Sequence, residues 1–243
     1  MKTSVKFLLA AALVLLASLT AYNMALRAEY LSGAYLDPLR GYAKLDFKNF
    51  EEVAIPAASV LNVKVMAGPF GVRVNPDARE FVRVRQQGGR LIVEAALPTE
   101  NQGLGGGDAV VISCPQLTAL TTGGEHQLNG QPHRDKLPRW GPNTLVLVQG
   151  FTQDSLLVRQ DLAGRVELTG NRLGLLRAVV GPTPGSHAGL TLTENNHIAA
   201  ANLTIGHQSE LTIDNVDIPK LRYQYGDSAK VTLTGRALRG GLR

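Results

Sequence analysis

From Leu145 to Leu233 the chain runs in short stretches of alternating apolar and polar residues, separated by Gly, Asn, Asp, Ser and Pro. A period of two marks a half-buried strand, and turn residues at regular intervals separate such strands. Two interleaved series emerge. The first comprises Leu145-Val146-Leu147, Val166-Glu167-Leu168, Leu190-Thr191-Leu192, Leu211-Thr212-Ile213 and Val231-Thr232-Leu233, with starts 21, 24, 21 and 20 residues apart. The second comprises Leu156-Leu157-Val158, Leu175 to Val180, Ala201 to Ile205 and Leu221 to Tyr225. Matching every second strand predicts a coil of about 20 residues holding two strands. Stacked at ~4.8 Å, such coils turn Leu145, Val166, Leu190, Leu211 and Val231 into one inward ladder, and Leu147, Leu168, Leu192, Ile213 and Leu233 into another. Glu167, Thr191, Thr212 and Thr232 become an outward row. The longer interval before Leu190 is absorbed by a loop at Gly181-Pro182-Thr183-Pro184-Gly185.

The expected fold is therefore all-β: a right-handed parallel β-helix or β-solenoid-like stack, with a sandwich of meandering hairpins as the competing arrangement. The first half is strand-like as well, over Val53 to Ile55, Leu61 to Met66, Gly71 to Val74, Phe81 to Arg85, Leu91 to Ala95 and Ala109 to Ile112. Turns at Asn75-Pro76-Asp77 and Gln87-Gly88-Gly89 divide these runs in hairpin fashion. A loop is expected at residues 131–143. No helix is required beyond the N-terminus.

That N-terminus opens with Lys2 and Lys6 and continues as an apolar run from Phe7 to Leu26, broken only by a few small polar residues. It has the layout of a secretory signal and also the ~20 residues a single membrane-spanning helix needs. Ala17 with Leu19, or Leu19 with Ala21, puts a Leu where a cleavage site wants a small residue, so cleaved signal and retained anchor both stay open. The positive-inside rule places everything after residue 27 outside the inner membrane, in the periplasm or at the cell surface. The expected organisation is a signal or anchor over 1–26, a linker over 27–44, a β-domain over 45–235 and a basic tail over 236–243.

Composition narrows the function. The chain has 44% hydrophobic and 19% charged residues, which suits a folded domain, and aromatic residues are only 5%. A net charge of +5 is small, and Arg236, Arg239 and Arg243 read as a solvated tail, so no nucleic-acid partner is expected. A lone Cys114 rules out an internal disulfide and fits a buried, inert thiol. The Gly103 to Gly107 loop before Asp108 lacks the Lys-Ser/Thr and the helix of a phosphate-binding loop. His187, His197 and His207 fall at ten-residue intervals, but they read as turn histidines and no metal or cofactor is expected.

The order of segments resembles the auto-transporter adhesin head domain of the GIN type, across about residues 45–235. The resemblance is carried by Phe47-Lys48-Asn49-Phe50, by Leu61-Asn62-Val63-Lys64-Val65 continuing to Val74, by Gly89-Arg90-Leu91-Ile92-Val93, and by Val110 to Leu117 with its Pro115-Gln116-Leu117 step. It implies a parallel β-helix-like fold in the envelope and carries over no catalytic or binding residue. The basic stretch Gln131 to Lys136 and the Gly103 to Gly107 loop depart from the pattern. The expected function is that of a non-enzymatic envelope protein offering a binding or scaffolding surface to a glycan or envelope protein. Thr191, Thr212 and Thr232 are the candidate surface. The alternative is a carbohydrate-active enzyme working through Glu167, Glu194 or Asp214.

Overall fold

The computed structural model describes residues 3–33, 36–100, 102, 104, 106–137 and 144–241, and the chain forms two compact units, Met1–Tyr42 and Ala43–Arg243. In the first, α1 (Thr3–Ser32) is a 30-residue helix without a buried side chain. Its polar groups are satisfied internally, since the hydroxyls of Ser18 and Thr20 each donate to a carbonyl four residues back, at 2.8 Å. Such bonding lets an apolar helix carry hydroxyls into a lipid environment. α1 is long and apolar enough to cross a membrane, and it extends past Leu26 into the stretch read as linker.

The second unit is built of strands. Its first part contains β1 (Ala43–Leu45), β2 (Glu52–Ile55), β3 (Val63–Ala67), β4 (Gly71–Val74) and β5 (Val82–Gln87). There follow β6 (Arg90–Leu97), β7 (Val110–Cys114), β8 (Ala119–Thr122), β9 (Glu125–Leu128) and β10 (Gln131–Arg134). The second part has β11 (Val146–Gln149), β12 (Thr152–Gln160), β13 (Arg165–Thr169), β14 (Arg172–Val180) and β15 (Gly189–Leu192). It closes with β16 (His197–Ile205), β17 (Glu210–Asp214), β18 (Lys220–Tyr225), β19 (Lys230–Thr234) and a short helix α2 (Ala237–Gly241).

These strands form two large mixed sheets. One has the order β1-β4-β7-β3-β11-β13-β15-β17-β19, the other β10-β9-β6-β2-β8-β12-β14-β16-β18 with β5 beside β6. From β11 onward the chain alternates between the sheets, and each strand pairs in parallel with the next but one. The all-β expectation holds at that level. One uniform solenoid over residues 45–235 does not. In the first part, β4 lies antiparallel between β1 and β7, and β5-β6 and β9-β10 are antiparallel pairs. Short turns such as Gln87-Gly88-Gly89 fold the chain straight back on itself, and a parallel neighbour cannot be reached by so short a connection.

The inward ladders exist with one correction. Val146 and Val148, rather than Leu145 and Leu147, are in register with Val166 and Leu168, and their side chains are fully buried. Four consecutive apolar residues satisfy a period of two in either phase, and a slip of one residue exchanges the faces. Pairing of β11 with Val63 and Val65 of β3 on one side and with β13 on the other selects the phase. The ladder then runs through Leu190 and Leu192, Leu211 and Ile213, to Val231 and Leu233. Leu120, Val158, Ala178 and Leu203 face it from the other sheet. Burying each Val or Leu contributes roughly 1.5–3 kcal/mol, so these columns are the main stabilising element.

Turns between the sheets are held by buried side chains. Asn171, fully buried, accepts the N–H of Phe151 on Oδ1 at 3.0 Å and donates from Nδ2 to the carbonyl of Val148 at 3.1 Å. One coil on, Oδ1 of Asn196 accepts both the backbone N–H and the Nδ2 of Asn171, at 3.0 and 3.1 Å. The loop at Gly181 to Gly185 is pinned by Thr183, whose N–H and hydroxyl both donate to Asp161. Residues 131–134, expected to be loop, are β10, and residues 138–143 lie outside the described residues.

Candidate functional site

The register of the first sheet sets Glu167, Thr191, Thr212 and Thr232 side by side on successive strands. All four are half-buried, because neighbouring side chains pack along the row. Beside it runs a second row, Arg165, Gly189, Glu210 and Lys230, with an ion pair of 2.8 Å between Lys230 and Glu210. Gly189 leaves a notch between Arg165 and Glu210. The two rows enclose a shallow groove of about 300 Å³ that Thr191 and Thr212 help to line. Hydroxyls in line on a stiff sheet offer donors and acceptors at a fixed repeat, which suits contact with a polar ligand rather than chemistry on it.

The carboxylates of the enzymatic alternative occupy three different settings. Glu167 lies within β13, Glu194 in the turn after β15, and Asp214 at the end of β17. Glu194 accepts from Nδ2 of Asn215 at 3.2 Å, and Asp214 accepts from the hydroxyl of Thr234. The histidines are dispersed too. The ring Nδ1 of His187 lies 3.1 Å from the carbonyl of Gly185, that of His207 places Nε2 3.2 Å from the carbonyl of Pro182, and His197 opens β16. Among the described residues no three His, Cys, Asp or Glu side chains gather as a metal-ligating group. The Gly103 to Gly107 loop is only partly described; Gly106 and Gly107 accept side-chain N–H groups from Asn75 and Asn62 through their carbonyls.

A buried polar cluster went unrecognised in the sequence. Asp135 accepts from the hydroxyl of buried Ser59 at 3.0 Å, with Nε2 of His133 at 3.1 Å and Nδ1 of His126 at 3.5 Å. The rings of His126 and His133 are 5.2 Å apart. Here a carboxylate, not an imidazole, meets the serine hydroxyl, the reverse of the order in which a histidine takes the proton from a nucleophile. The cluster thus fastens β10 to the segment after β2. Lys136 and Arg134 made this stretch read as a basic surface insertion; the only sequence cue to its inner side was Asp135 next to an alternating His133.

Cys114 is fully buried at the end of β7, and burial, with a smaller contribution from Glu51, pushes its thiol up to about 12. The thiol loses its proton more readily in the unfolded chain, whose cysteine titrates near ~8.5. Its contribution to stability is therefore complete below that pH and is lost as pH rises toward 12. Cys114 is expected to resist an aromatic disulfide reagent at pH 8 for as long as the β-domain stays folded and to react at once in guanidinium. Rapid labelling of the native protein would contradict the burial.

No family model matches the sequence, and no curated protein matches it. The structure is similar to known ones. A crystal structure from Parabacteroides distasonis, described as a "putative adhesin", shares 12% identity with a TM-score of 0.55, over 80% of this chain and 73% of that one. A second "putative adhesin", from Bacteroides fragilis, shares 11% identity over 79% of this chain and 96% of its own, with a TM-score of 0.39. A "putative lipid binding protein" from Parabacteroides distasonis shares 10% over 80% and 94%, with a TM-score of 0.27. The first of these shares the β fold of this chain. At such identity the likeness speaks for the fold alone, and the narrower GIN-type resemblance rests on the sequence segments that suggested it.

Proposed function

We propose that this chain is a non-enzymatic protein of the cell envelope, exported and held there by residues 7–26, whose β-domain presents a rigid binding or scaffolding surface. The observation that carries this reading is the in-register row of Thr191, Thr212 and Thr232 on a sheet whose strands are fixed by buried ladders on their other side. An apolar N-terminal helix and a fold shared with a protein named as an adhesin support the location and the class. The partner is a polar one, a glycan or an envelope protein.

Replacing Thr191, Thr212 and Thr232 together by Ala tests the surface. The side chains are small and half-exposed, so the variant is expected to fold. Binding of the detergent-solubilised full chain to bacterial cells and to a glycan array is expected to weaken at least tenfold. Undiminished binding by a variant that melts like the wild type would remove the threonine row from the function.

A further inference from the structure

The outer face of the second sheet holds a trough that the threonine row does not touch. Strands β12, β14 and β16 each carry two consecutive outward residues: Asp154 with Ser155, Gly174 with Leu175, and Ala199 with Ala200. Asp154, Gly174 and Ala199 are passed over in the strand pairing, while their neighbours Ser155, Leu175 and Ala200 are in register. The same break in the pairing thus recurs along one line across three adjacent strands. Two hollows of about 530 and 790 Å³ lie along this line and share Asp217 and Pro219. The floor is low because its residues are small. A Cβ on Gly174 would come within 2.7 Å of the carbonyl oxygen of Asp154, so no side chain can stand there.

Basic groups outnumber carboxylates in the second hollow, whereas in the first Arg172 and His197 stand against two carboxylates. Arg172 and His197 line one hollow, and Lys220, Arg222 and Arg239 line the other, against the carboxylates of Asp154 and Asp217. Arg177 extends the set, in register with Asn202 and, through it, with Arg222. All these basic side chains are exposed, and none is paired with a carboxylate among the described residues. Some surface charges elsewhere are paired, as in Arg85 with Glu94 and Arg134 with Glu125. From β12 to β18 the trough crosses three strand spacings, about 14 Å.

We infer that this trough binds a linear acidic polysaccharide, a chain of uronate-type sugars. Carboxylates along such a chain would meet the unpaired guanidinium and ammonium groups, and sugar faces would lie over Gly174, Ala199 and Ala200. Charge-assisted hydrogen bonds from Arg to carboxylate are the strong kind. Single-stranded nucleic acid fits less well, because binding there relies on aromatic side chains that stack on successive bases, and the trough lining contains no Phe, Tyr or Trp and one ring only, that of His197. The inference rests on the reading of this protein as a binding module and adds a ligand class and a second face.

The test uses the full chain in detergent and immobilised alginate, with neutral dextran, single-stranded oligothymidylate and phosphatidylglycerol vesicles as competing probes. Alginate is expected to bind, to bind more weakly as salt rises, and to lose at least tenfold in affinity in the double variant Arg172→Gln/Arg222→Gln. A matched change on the other sheet, Lys44→Gln/Lys64→Gln, is expected to lose less than twofold, and melting curves check that both variants fold. No alginate binding, equal binding of dextran, tighter binding of the oligonucleotide or the vesicles, or equal losses in both double variants would each overturn the assignment. If alginate fails while cell binding through the threonine row persists, the trough is wrong and the binding-module reading stands. If alginate is shortened on incubation, the non-enzymatic reading falls as well.

Discussion

Asn171→Ala is expected to destabilise the β-domain by about 4 kcal/mol. In the wild type this side chain satisfies the N–H of Phe151 and the carbonyl of Val148, and it donates to Asn196, all in a site closed to water. Alanine leaves the N–H of Phe151 buried and unpaired, at roughly 1–3 kcal/mol, removes the bonds to the Val148 carbonyl and to Asn196, and opens a small void beside them. For a protein of this size that corresponds to a fall in melting temperature of about 8–16 °C, read by near-ultraviolet circular dichroism. Asn171→Asp keeps an acceptor for Phe151 but not the donor to Val148, and its charge is buried, so it does not rescue. Asn195→Ala, at an exposed position nearby, serves as the control and should melt within about 1 °C of the wild type. A melting temperature for Asn171→Ala indistinguishable from that control would show that the asparagine ladder does not hold the turns.

Gly206→Ala is the second large effect, at about 3 kcal/mol, and it arises from crowding rather than a lost bond. After β14 and β16 the chain turns at Gly181 and Gly206, and the ladder continues through these turns, with Gly181 N–H donating to Gln160 and Gly206 N–H to Val180, both at 2.8 Å. A Cβ on Gly206 would sit 2.5 Å from the carbonyl oxygen of Gly181, a backbone atom that cannot swing away. Relief requires one coil to shift against the next and to stretch these bonds, a cost of the overpacking kind. Chemical denaturation of the variant should show a lower midpoint with an unchanged slope, since the surface exposed on unfolding is the same. A midpoint equal to wild type would mean that the turns are not in contact as described.

Much of the fold could be read from residue order. Strand after strand from Val166 to Leu233 was recognisable because its apolar residues alternate, and alternation records which face each residue presents. The recurrence near 20 residues showed which strands would be neighbours, and pairing of Leu190 with Leu211 and of Thr212 with Thr232 follows it. Strands β8, β9 and β10 were missed. Ala119–Thr122, Glu125–Leu128 and Gln131–Arg134 are short and largely polar, and the inner face of the first two is marked by few residues, Leu120 in the one and His126 with Leu128 in the other. Their strand state comes from partners, β12 and β2 for β8 and β6 for β9, that lie far away along the chain.

The same division holds for the candidate sites. Thr191, Thr212 and Thr232 could be aligned by counting, since their separation equals the coil length. The trough could not, because its walls come from Arg172, His197, Lys220 and Arg222 on three strands, and its depth depends on an extra outward residue in each of β12, β14 and β16 that period-two counting does not reveal. Asp135 is a similar case: its burial follows from Ser59, 76 residues earlier in the chain.

What the sequence by itself determined is the class of structure, an apolar N-terminal helix followed by strands with a repeating inner face, because hydrophobic period and turn chemistry are local properties. Only the tertiary structure decided which phase of Leu145-Val146-Leu147-Val148 points inward, how the first ten strands insert out of order into two mixed sheets, and where unpaired cations surround a hollow. Those outcomes depend on partners brought together by long-range pairing, and the free energy that selects them belongs to the contact between segments, not to either segment alone.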